Sequence, residues 1–289
     1  MEKNKYIKSP LNYTGGKYKL LPQLMPLILP KLNNETTFVD LFTGGGNVIA
    51  NIPNECTRLA NDYNKQVIEI FQKFQELSIE QILEYVKNQI VLYNLSQENT
   101  EGYNKFRKFY NEQDKKEPLD LFILICYSFN HQIRFNSKGE FNMPFGKDRS
   151  QFNPSIEKNL INFVEGIKGI KFTSLDFNDF DFNDLNEGDY VYCDPPYLIT
   201  CASYNEQDGW NENCEIKLLH LLEELNKKGV HFGLSNVLSN KGKTNEILQK
   251  WTEKHPEFTV HHLNHSYSNC SYHAKDKETK SDEVFITNY

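Results

Sequence analysis

Residues 37–46 read TFVDLFTGGG, and this stretch decides the fold class. The first six residues are mostly apolar, aromatic or β-branched, which is typical of a short buried strand, and three glycines follow almost at once. Residues 58–62, RLAND, predict a second strand ending in Asp62, and residues 47–51 predict the opening of a helix between the two strands. A strand, a glycine-rich turn, a helix and another strand begin a βαβ unit, so we predict an α/β fold.

The rest of the chain extends this pattern with one interruption. From residue 65 the apolar positions follow helical spacing, and Pro118 stands at a first-turn position, so residues from about 65 to 157 predict a mostly helical block. Strands are predicted again at 170–172, 189–193, 230–235, 259–263 and 283–287, with a helix at 215–228. The expected architecture is a Rossmann-like, doubly wound sheet with an antiparallel end and an inserted helical lobe.

Composition limits the class of protein. Hydrophobic residues make up 38% and charged residues 25% of the 289, which favours a folded chain over a disordered one. No apolar run approaches the ~20 residues needed to span a bilayer. The N-terminus is polar and lacks a signal-peptide core, so we expect a cytoplasmic protein without membrane contacts. The six cysteines are scattered without a C-x-x-C pair, which argues against a structural zinc site.

The net charge of −7 is the main compositional objection to nucleic-acid binding, because nucleic-acid binders usually carry a basic patch. Charge position matters more than the sum, however. Acids are frequent at 176–189 and 276–283, whereas Arg134, Lys138, Lys147 and Arg149 form a locally basic stretch. The objection is therefore weakened but not removed.

The strongest chemical signal is DPPY at residues 194–197, directly after an apolar strand. Active sites of open α/β sheets lie beyond the carboxyl ends of the strands. An exocyclic amine of a nucleobase is a poor nucleophile because its lone pair is delocalised. Asp194 and the carbonyl of Pro195 can accept its two N–H bonds and release that lone pair, and consecutive prolines hold the carbonyl rigidly. Tyr197 offers a ring for stacking an extruded base. The alternative is an ordinary proline-rich turn with a surface aspartate.

Two further stretches suggest a bound nucleoside. Glycines after the first strand allow close approach of a ligand, and Asp62 is placed to bind ribose hydroxyls. Ile49 occupies the third glycine position of G-x-G-x-x-G, which disfavours a pyrophosphate-binding dehydrogenase and suits a cofactor without phosphates. Residues 11–21, LNYTGGKYKLL, add a glycine loop with Lys17. Taken alone, the two stretches are also consistent with a connecting turn and a loop with a solvated lysine.

Together these stretches resemble the Dam-type (DPPY, alpha-group) family of bacterial and phage DNA adenine-N6 methyltransferases. The resemblance rests on residues 13–21, 38–46, Asp62, 134–146 and 194–197, which occur in the family's order and span nearly the whole chain. It implies a Rossmann-like domain that binds S-adenosylmethionine, formed by residues 1–66 and 158–289, and a target-recognition domain at 67–157. It also implies DNA methylation with base flipping and without a metal, either within a restriction-modification system or by an enzyme that acts alone.

The resemblance implies roles for individual residues. Asp194, Pro195, Pro196 and Tyr197 match the catalytic turn. The cofactor-binding positions that it implies are Tyr13, Gly16, Lys17, Asp40, Gly44, Gly46, Asp62, Asp176, Phe177 and Asp194. The family often has Trp where Tyr13 stands, and the many acids near Asp176 leave that part of the alignment ambiguous.

Residues 129–136 and 139–146 resemble the family's DNA-reading hairpin. The DNA-binding positions that it implies are Phe129, Asn130, Gln132, Arg134, Asn136, Pro144 and Lys147. Arginine can bond a guanine edge bidentately in the major groove, and Lys147 and Arg149 can neutralise phosphates. For Phe135 and Phe145 we expect a small core under the hairpin. The resemblance implies a target in double-stranded DNA at GATC or a related site. The related site is included because Gln132 departs from the apolar residue of some members that read GATC.

Other interpretations remain open on the sequence. His261, His262, His265 and His273 are close in sequence, but neighbouring residues of a strand point apart, so no metal site is expected. Cys193 and Cys201 flank the catalytic turn, yet no Pro-Cys pair suggests covalent catalysis. Rival functions are methylation of another planar amine, in RNA or a protein glutamine, and a non-catalytic DNA-binding or cofactor-sensing protein. A restriction endonuclease acting separately is the expected partner.

Overall fold

The computed structural model describes residues 5–199, 209–264 and 281–289. The chain divides into two compact units, each assembled from three separate segments. The helical unit comprises Met1–Tyr18, Thr43–Asn51 and Asp62–Ser174, and the sheet unit comprises Lys19–Phe42, Ile52–Asn61 and Leu175–Tyr289. The division into a catalytic domain and a target-recognition domain concerns function and stays a prediction.

Most of the strands lie in the sheet unit, whereas the helical unit is mainly α-helical. The α-helices of the described residues are α1 (Leu21–Ile28), α2 (Lys65–Glu76), α3 (Ile79–Leu92), α4 (Thr100–Glu112), α5 (Pro118–Tyr127), α6 (Pro154–Gly166), α7 (Glu212–Lys227) and α8 (Glu246–Lys254). The strands are β1 (Thr37–Asp40), β2 (Thr57–Asn61), β3 (Lys171–Thr173), β4 (Tyr190–Cys193), β5 (His231–Asn240), β6 (Lys243–Thr244), β7 (Thr259–His262) and β8 (Asp282–Thr287).

The strands of the sheet unit follow the order β2-β1-β4-β5-β8-β7, and the short β6 pairs with β5. β2, β1, β4 and β5 are parallel, whereas β8 runs antiparallel to β5 and β7 antiparallel to β8. The predicted parallel sheet with an antiparallel end is therefore confirmed. After β1 the chain continues to β2 on one side, and after β4 it continues to β5 on the other. The carboxyl ends of β1 and β4 thus form a topological switch point, where open α/β sheets bind their ligands.

Apolar strand residues and two helices form the core of the sheet unit. Val39, Val191 and Phe232 come from three neighbouring parallel strands and are fully buried. Leu222 of α7 and Trp251 of α8 pack in the same cluster. Burial on both faces explains why the central strands are nearly continuous apolar runs, as parallel strands usually are.

The helical unit is organised around α5. Pro118 occupies its first turn, where a missing N–H costs nothing, and every residue from Leu119 to Tyr127 is buried. α2, α3 and α4 all contact α5. Ser78 and Gln81 form a reciprocal capping box that begins α3, and the side chain of Asn64 caps α2. The predicted helical content after residue 65 is thus observed.

The predicted helix at residues 47–51 is wrong. Only a 3₁₀ turn, Ile49–Asn51, lies between β1 and β2. The side chain of Asn47 accepts a hydrogen bond from the N–H of Ser9, and Asn51 exchanges two with the backbone of Ile7. Pro53 follows and cannot donate to a continuing helix. The asparagines therefore hold a distant backbone segment instead of a local helix.

Candidate active site

The DPPY turn begins where β4 ends. All four residues of β4 are buried, and Asp194 follows as the first half-exposed residue at the switch point. Asp40, the last residue of β1, is in register with Tyr192 of β4 and is only 1% exposed. The sheet thus brings two of the predicted site carboxylates to the carboxyl ends of neighbouring strands.

Hydrogen bonds fix the side chains of this turn. The hydroxyl of Tyr197 lies 3.1 Å from Oδ1 of Asp194 and 3.1 Å from Oε1 of Glu283 on β8. Pro195 is buried and Pro196 exposed, and the proline rings restrict φ on both sides of the Pro195 carbonyl. The turn therefore presents a carboxylate and a carbonyl in a constrained arrangement.

Tyr192 lies among three carboxylates of the sheet unit. Burial raises the pKa of its hydroxyl well above the usual value, and the negative charge of Asp194 raises it further, with smaller effects from Asp40 and Glu283. The neutral hydroxyl lies 2.9 Å from Oγ of Ser235. Three carboxylates thus lie near this end of the sheet, which favours a ligand that is positively charged or donates hydrogen bonds.

Cys193 is not suited to covalent catalysis. Burial raises the pKa of its thiol well above the usual value, and the charges of Asp40 and Asp194 add to that rise. The thiolate is the reactive form of cysteine, so this thiol is inert as a nucleophile. Cys201, the other cysteine near the turn, lies outside the described residues.

For the methyl transfer that the sequence resemblance implies, we expect Cys193→Ala to keep the rate within about threefold, because a buried thiol that stays protonated takes no part in bond formation. Incorporation of labelled methyl groups into DNA measures this rate. Mass spectrometry of the protein after incubation with DNA and the methyl donor provides the second readout, because a covalent intermediate would raise the mass of the chain. A covalent adduct at Cys193, or loss of transfer in a variant with the wild-type melting temperature, would contradict the expectation.

Phe177, a predicted cofactor residue, belongs to an aromatic cluster in the sheet unit. Its ring centroid lies 5.5 Å from that of Phe42 and 5.4 Å from that of Trp210. The indole N–H of Trp210 donates to the buried Glu215 over 2.6 Å. Asp176 caps the short turn that begins at Phe177 by accepting from the N–H of Asn178. Asp176 and Phe177 therefore lie at the start of one short turn, beside large apolar surfaces.

In the helical unit, Asp62 holds the glycine turn. Its carboxylate accepts the N–H of Gly44 over 2.6 Å and that of Asn64 over 2.8 Å. Burial raises the pKa of Asp62, and these two hydrogen bonds oppose the rise. The Tyr13 ring covers Gly44, where an added Cβ would lie 3.2 Å from two ring carbons. Tyr13, Gly44 and Asp62 are therefore brought together, as the cofactor prediction requires.

The remaining glycine and lysine positions also lie in tight turns. Gly46 has φ +74°, and a Cβ there would lie 2.8 Å from the ring of Phe163. Gly16 donates its N–H to the carbonyl of Tyr13, and the ammonium of Lys17 donates to the carbonyl of Gly15 over 2.9 Å. Lys17 is 4% exposed, so it is not the solvated lysine of the alternative interpretation.

Residues 129–146 form an irregular hairpin in the helical unit. Phe135 and Phe141 form an antiparallel bridge, and the chain reverses at Asn136–Gly139, where Gly139 has φ +74°. The rings of Phe135 and Phe141 pack at 5.8 Å, and Phe145 packs at 5.2 Å against the buried Tyr103. The expectation that Phe135 and Phe145 close a small core is therefore confirmed.

The predicted DNA-binding side chains lie mainly on the exposed surface of this hairpin. Asn136 is half-buried, whereas the others are exposed, namely Phe129, Asn130, Gln132, Arg134, Pro144 and Lys147. Asn142 orients Arg134 by accepting from Nε at 2.8 Å through its side chain and from Nη2 at 3.1 Å through its carbonyl. The guanidinium of Arg149 lies over the ring of Phe129 at 5.7 Å.

Comparison with known proteins identifies the family. The profile of the D12 class of N6 adenine-specific DNA methyltransferases matches residues 13–269. The chain belongs to this family. The Dam-type resemblance is thereby confirmed, and the match includes both the glycine turn and the DPPY turn.

Relatives agree with the D12 assignment. The chain is 49% identical to the type II methyltransferase M.FokI of Planomicrobium okeanokoites over 292 residues, covering 99% of this chain and 43% of that protein. It is 44% identical to the modification methylase StsI of Streptococcus sanguinis, covering 99% of this chain and 43% of that protein. It is 31% identical to the DNA adenine methylase of Escherichia coli K12, covering 71% of this chain and 69% of that protein. The chain thus spans less than half the length of the first two relatives.

Sequence reasoning missed Trp210, Glu215 and Glu283 in this D12-class chain. Trp210 and Glu215 belong to no recognisable motif, and their contacts arise from packing within the sheet unit. Glu283 offered one signal. It directly precedes the apolar residues 284–286, and an acid is unusual at a buried strand position. Buried acids in strands are therefore worth testing as members of a site.

Neither a metal centre nor a membrane span is found in the part of the chain that the structure covers. Within residues 5–199, 209–264 and 281–289, no three side chains of His, Cys, Asp or Glu are grouped for metal binding. His265 and His273 of the histidine-rich stretch lie outside these ranges. No helix in them is long and apolar enough to cross a membrane.

Proposed function

We propose that this chain transfers a methyl group from S-adenosylmethionine to the N6 amine of adenine in duplex DNA, at one short sequence. The observation that carries the proposal is the position of Asp194, directly beyond β4 at the switch point, with its Oδ1 3.1 Å from the Tyr197 hydroxyl. Membership of the D12 class supports the same reaction.

The chemistry of the turn fits an amine acceptor. Asp194 and the carbonyl of Pro195 would each accept one N–H of the adenine amine and stabilise the positive charge that develops on nitrogen. Tyr197 would stack against the extruded base. Since no strong base is needed before the methyl group is attacked, most of the rate enhancement would come from positioning and electrostatics.

The helical unit fits a cofactor without phosphates. In dinucleotide-binding folds, the amides of the first glycine turn bind pyrophosphate. Here the carboxylate of Asp62 accepts the N–H of Gly44, so a pyrophosphate at that amide would meet a negative charge. Ile49 at the third glycine position is fully buried. S-adenosylmethionine has no phosphate and supplies an electrophilic methyl group on a positively charged sulfur.

We assign the cofactor contacts residue by residue. Among the residues of the helical unit, Asp62 would bind the ribose hydroxyls, and Tyr13, Gly16, Lys17, Gly44 and Gly46 would also contact the cofactor. In the sheet unit, Asp40 would face the methionine part, and Asp176 and Phe177 would hold the adenine. What supports these assignments is the hydrogen-bonding and stacking capacity of each group as described above.

We assign target recognition to residues 67–157, with the hairpin as its reading element. Four basic and two acidic side chains lie between Arg134 and Arg149, so this part of an acidic protein is locally basic. Phe129 would act as a wedge or stacking residue, and Lys147 and Arg149 would neutralise phosphates. The proposed target is GATC or a related sequence.

We expect Arg134→Ala to reduce affinity for the cognate duplex about ten- to a hundred-fold and to relax discrimination at one guanine. Two of its five N–H donors are held by Asn142, so the others remain to bond a guanine edge. Competition binding with single-base variants of the site measures both effects.

Lys147→Ala is the matched control for Arg134→Ala, because Lys147 is also basic and exposed and directly follows the same hairpin. The variant should weaken binding to cognate and unrelated duplexes alike and reduce the salt dependence of binding. Equal, sequence-independent losses in both variants would exclude base reading by Arg134.

Sequencing of methylated adenines tests the proposed function as a whole. The chain is expressed in a host without adenine methylation, and N6-methyladenine should then appear at one short sequence. Methylated RNA or glutamine with unmethylated DNA would instead support the rival amine acceptors. Binding of S-adenosylmethionine without any transfer would support a cofactor-sensing protein.

We further infer a role in restriction-modification, acting on DNA in the cytoplasm of bacteria or phage-infected cells. The support is that two relatives are named as a type II methyltransferase and a modification methylase. The proposed partner is a restriction endonuclease that acts separately on the same site. Protection of the sequenced target from cleavage by an endonuclease of that specificity tests this role.

A further inference from the structure

Glu283 is a buried acid aimed at the DPPY turn. It lies near the start of β8 and is 2% exposed. The strand order β4-β5-β8 separates β8 from β4 by one strand. Glu283 pairs with Val237 of β5, and the register shifts between Val237 and Ser239. Such bulges re-aim side chains and are frequent beside active sites.

One hydroxyl joins Glu283 to Asp194. The Tyr197 oxygen is 3.1 Å from a carboxylate oxygen of each acid, but a hydroxyl has a single proton to donate. Glu283 is almost fully buried, whereas Asp194 is half-exposed and can be hydrated. Because a desolvated carboxylate gains more from a hydrogen bond, the proton is drawn to Glu283.

We propose that Glu283 is a positioning residue of the DPPY turn, which accepts the Tyr197 hydroxyl proton and so sets the ring that is to stack on the target base. This inference rests on the proposed function. Donation to Glu283 holds the Tyr197 ring at one angle for stacking.

A double-mutant cycle tests the proposal. Glu283→Ala should lower kcat for DNA methylation about ten- to a hundred-fold, with the KM values for DNA and S-adenosylmethionine changed less than about threefold. Glu283→Gln keeps an acceptor oxygen and should restore kcat to within about threefold of wild type. In a Tyr197→Phe background, Glu283→Ala should change kcat less than about twofold, because the hydroxyl is already absent.

Denaturation of the same four proteins supplies a readout that needs no activity. In the cycle of wild type, Glu283→Ala, Tyr197→Phe and the double variant, the two changes should be coupled on the order of ten-fold in the unfolding equilibrium constant. Additive losses in either kcat or unfolding, or a Glu283→Gln variant as impaired as Glu283→Ala with the fold intact, would overturn the proposal. A wild-type chain that leaves DNA unmethylated would overturn the proposed function instead. Even then, additive changes in the unfolding equilibrium constant would reject the contact between Glu283 and Tyr197.

Discussion

Asp194→Ala is expected to lower methyl transfer to adenine at least about a hundred-fold while changing affinity for duplex DNA only a few-fold. In the proposed mechanism the carboxylate acts where positive charge develops on the amine, so its removal would act mainly on the transition state. Under the proposed function, DNA affinity would depend chiefly on basic and hairpin residues in the helical unit, which this change does not touch. Transfer of labelled methyl groups under single-turnover conditions and a separate binding titration measure the two effects.

Two further variants make the Asp194 result specific. Asp194→Asn keeps the shape and one acceptor oxygen but loses the charge, so its rate should lie between those of wild type and Asp194→Ala. Asp184→Ala removes the same charge from an exposed position of the sheet unit and should leave transfer unchanged. Normal turnover by a folded Asp194→Ala protein would refute the catalytic assignment.

Gly46→Ala is expected to destabilise the helical unit by about 3 kcal/mol. Gly46 has φ +74°, which costs an L-residue about 1–2 kcal/mol. The new Cβ would also lie 2.8 Å from the Phe163 ring, adding about 1–3 kcal/mol of overpacking. Phe163 is fully buried and packs at 5.1 Å against Phe71, so it has little freedom to move away. Urea denaturation followed by far-UV circular dichroism measures the loss.

Gly139→Ala is the matched control, because Gly139 has the same φ of +74° but no atom within 4 Å of the added Cβ. Only the backbone cost applies there, so we expect a loss of about 1 kcal/mol. The difference between the two variants isolates the contact with Phe163. Equal losses would show that this contact contributes nothing.

Local patterns predicted most of the sheet. Thr37–Asp40 and Tyr190–Cys193 are apolar runs between turn residues, so both strands were recognisable with small errors at their ends. Asp194 could be placed because it follows its strand directly. The helix expected at 47–51 failed because Asn47 and Asn51 bond residues about forty positions away, which no local pattern contains.

Long-range hydrogen bonds also explain why the details of the site were not predictable. Met143 of the hairpin accepts hydrogen bonds from Tyr103 and Arg107 of α4, and Asn111 of the same helix bonds the backbone of Phe141. Glu283 reaches Tyr197 across 86 positions of sequence. Such pairs depend on packing of the whole unit, and residue type alone does not indicate which polar groups will meet.

The interleaved segments of the two units limit how this enzyme family can acquire new specificities. A contiguous piece such as residues 62–174 would carry α2–α6 and the hairpin into another protein without Ile7, Ser9, Asn47 and Asn51, which complete the same unit. Exchange of that piece between relatives would separate Asp62 and Asn130 from Gly44 and Asn12, their hydrogen-bond partners in the remaining segments of the unit. Point changes at the exposed hairpin positions disturb neither of these bonds, so divergence of the target sequence should proceed by substitution rather than by transplantation of a cassette.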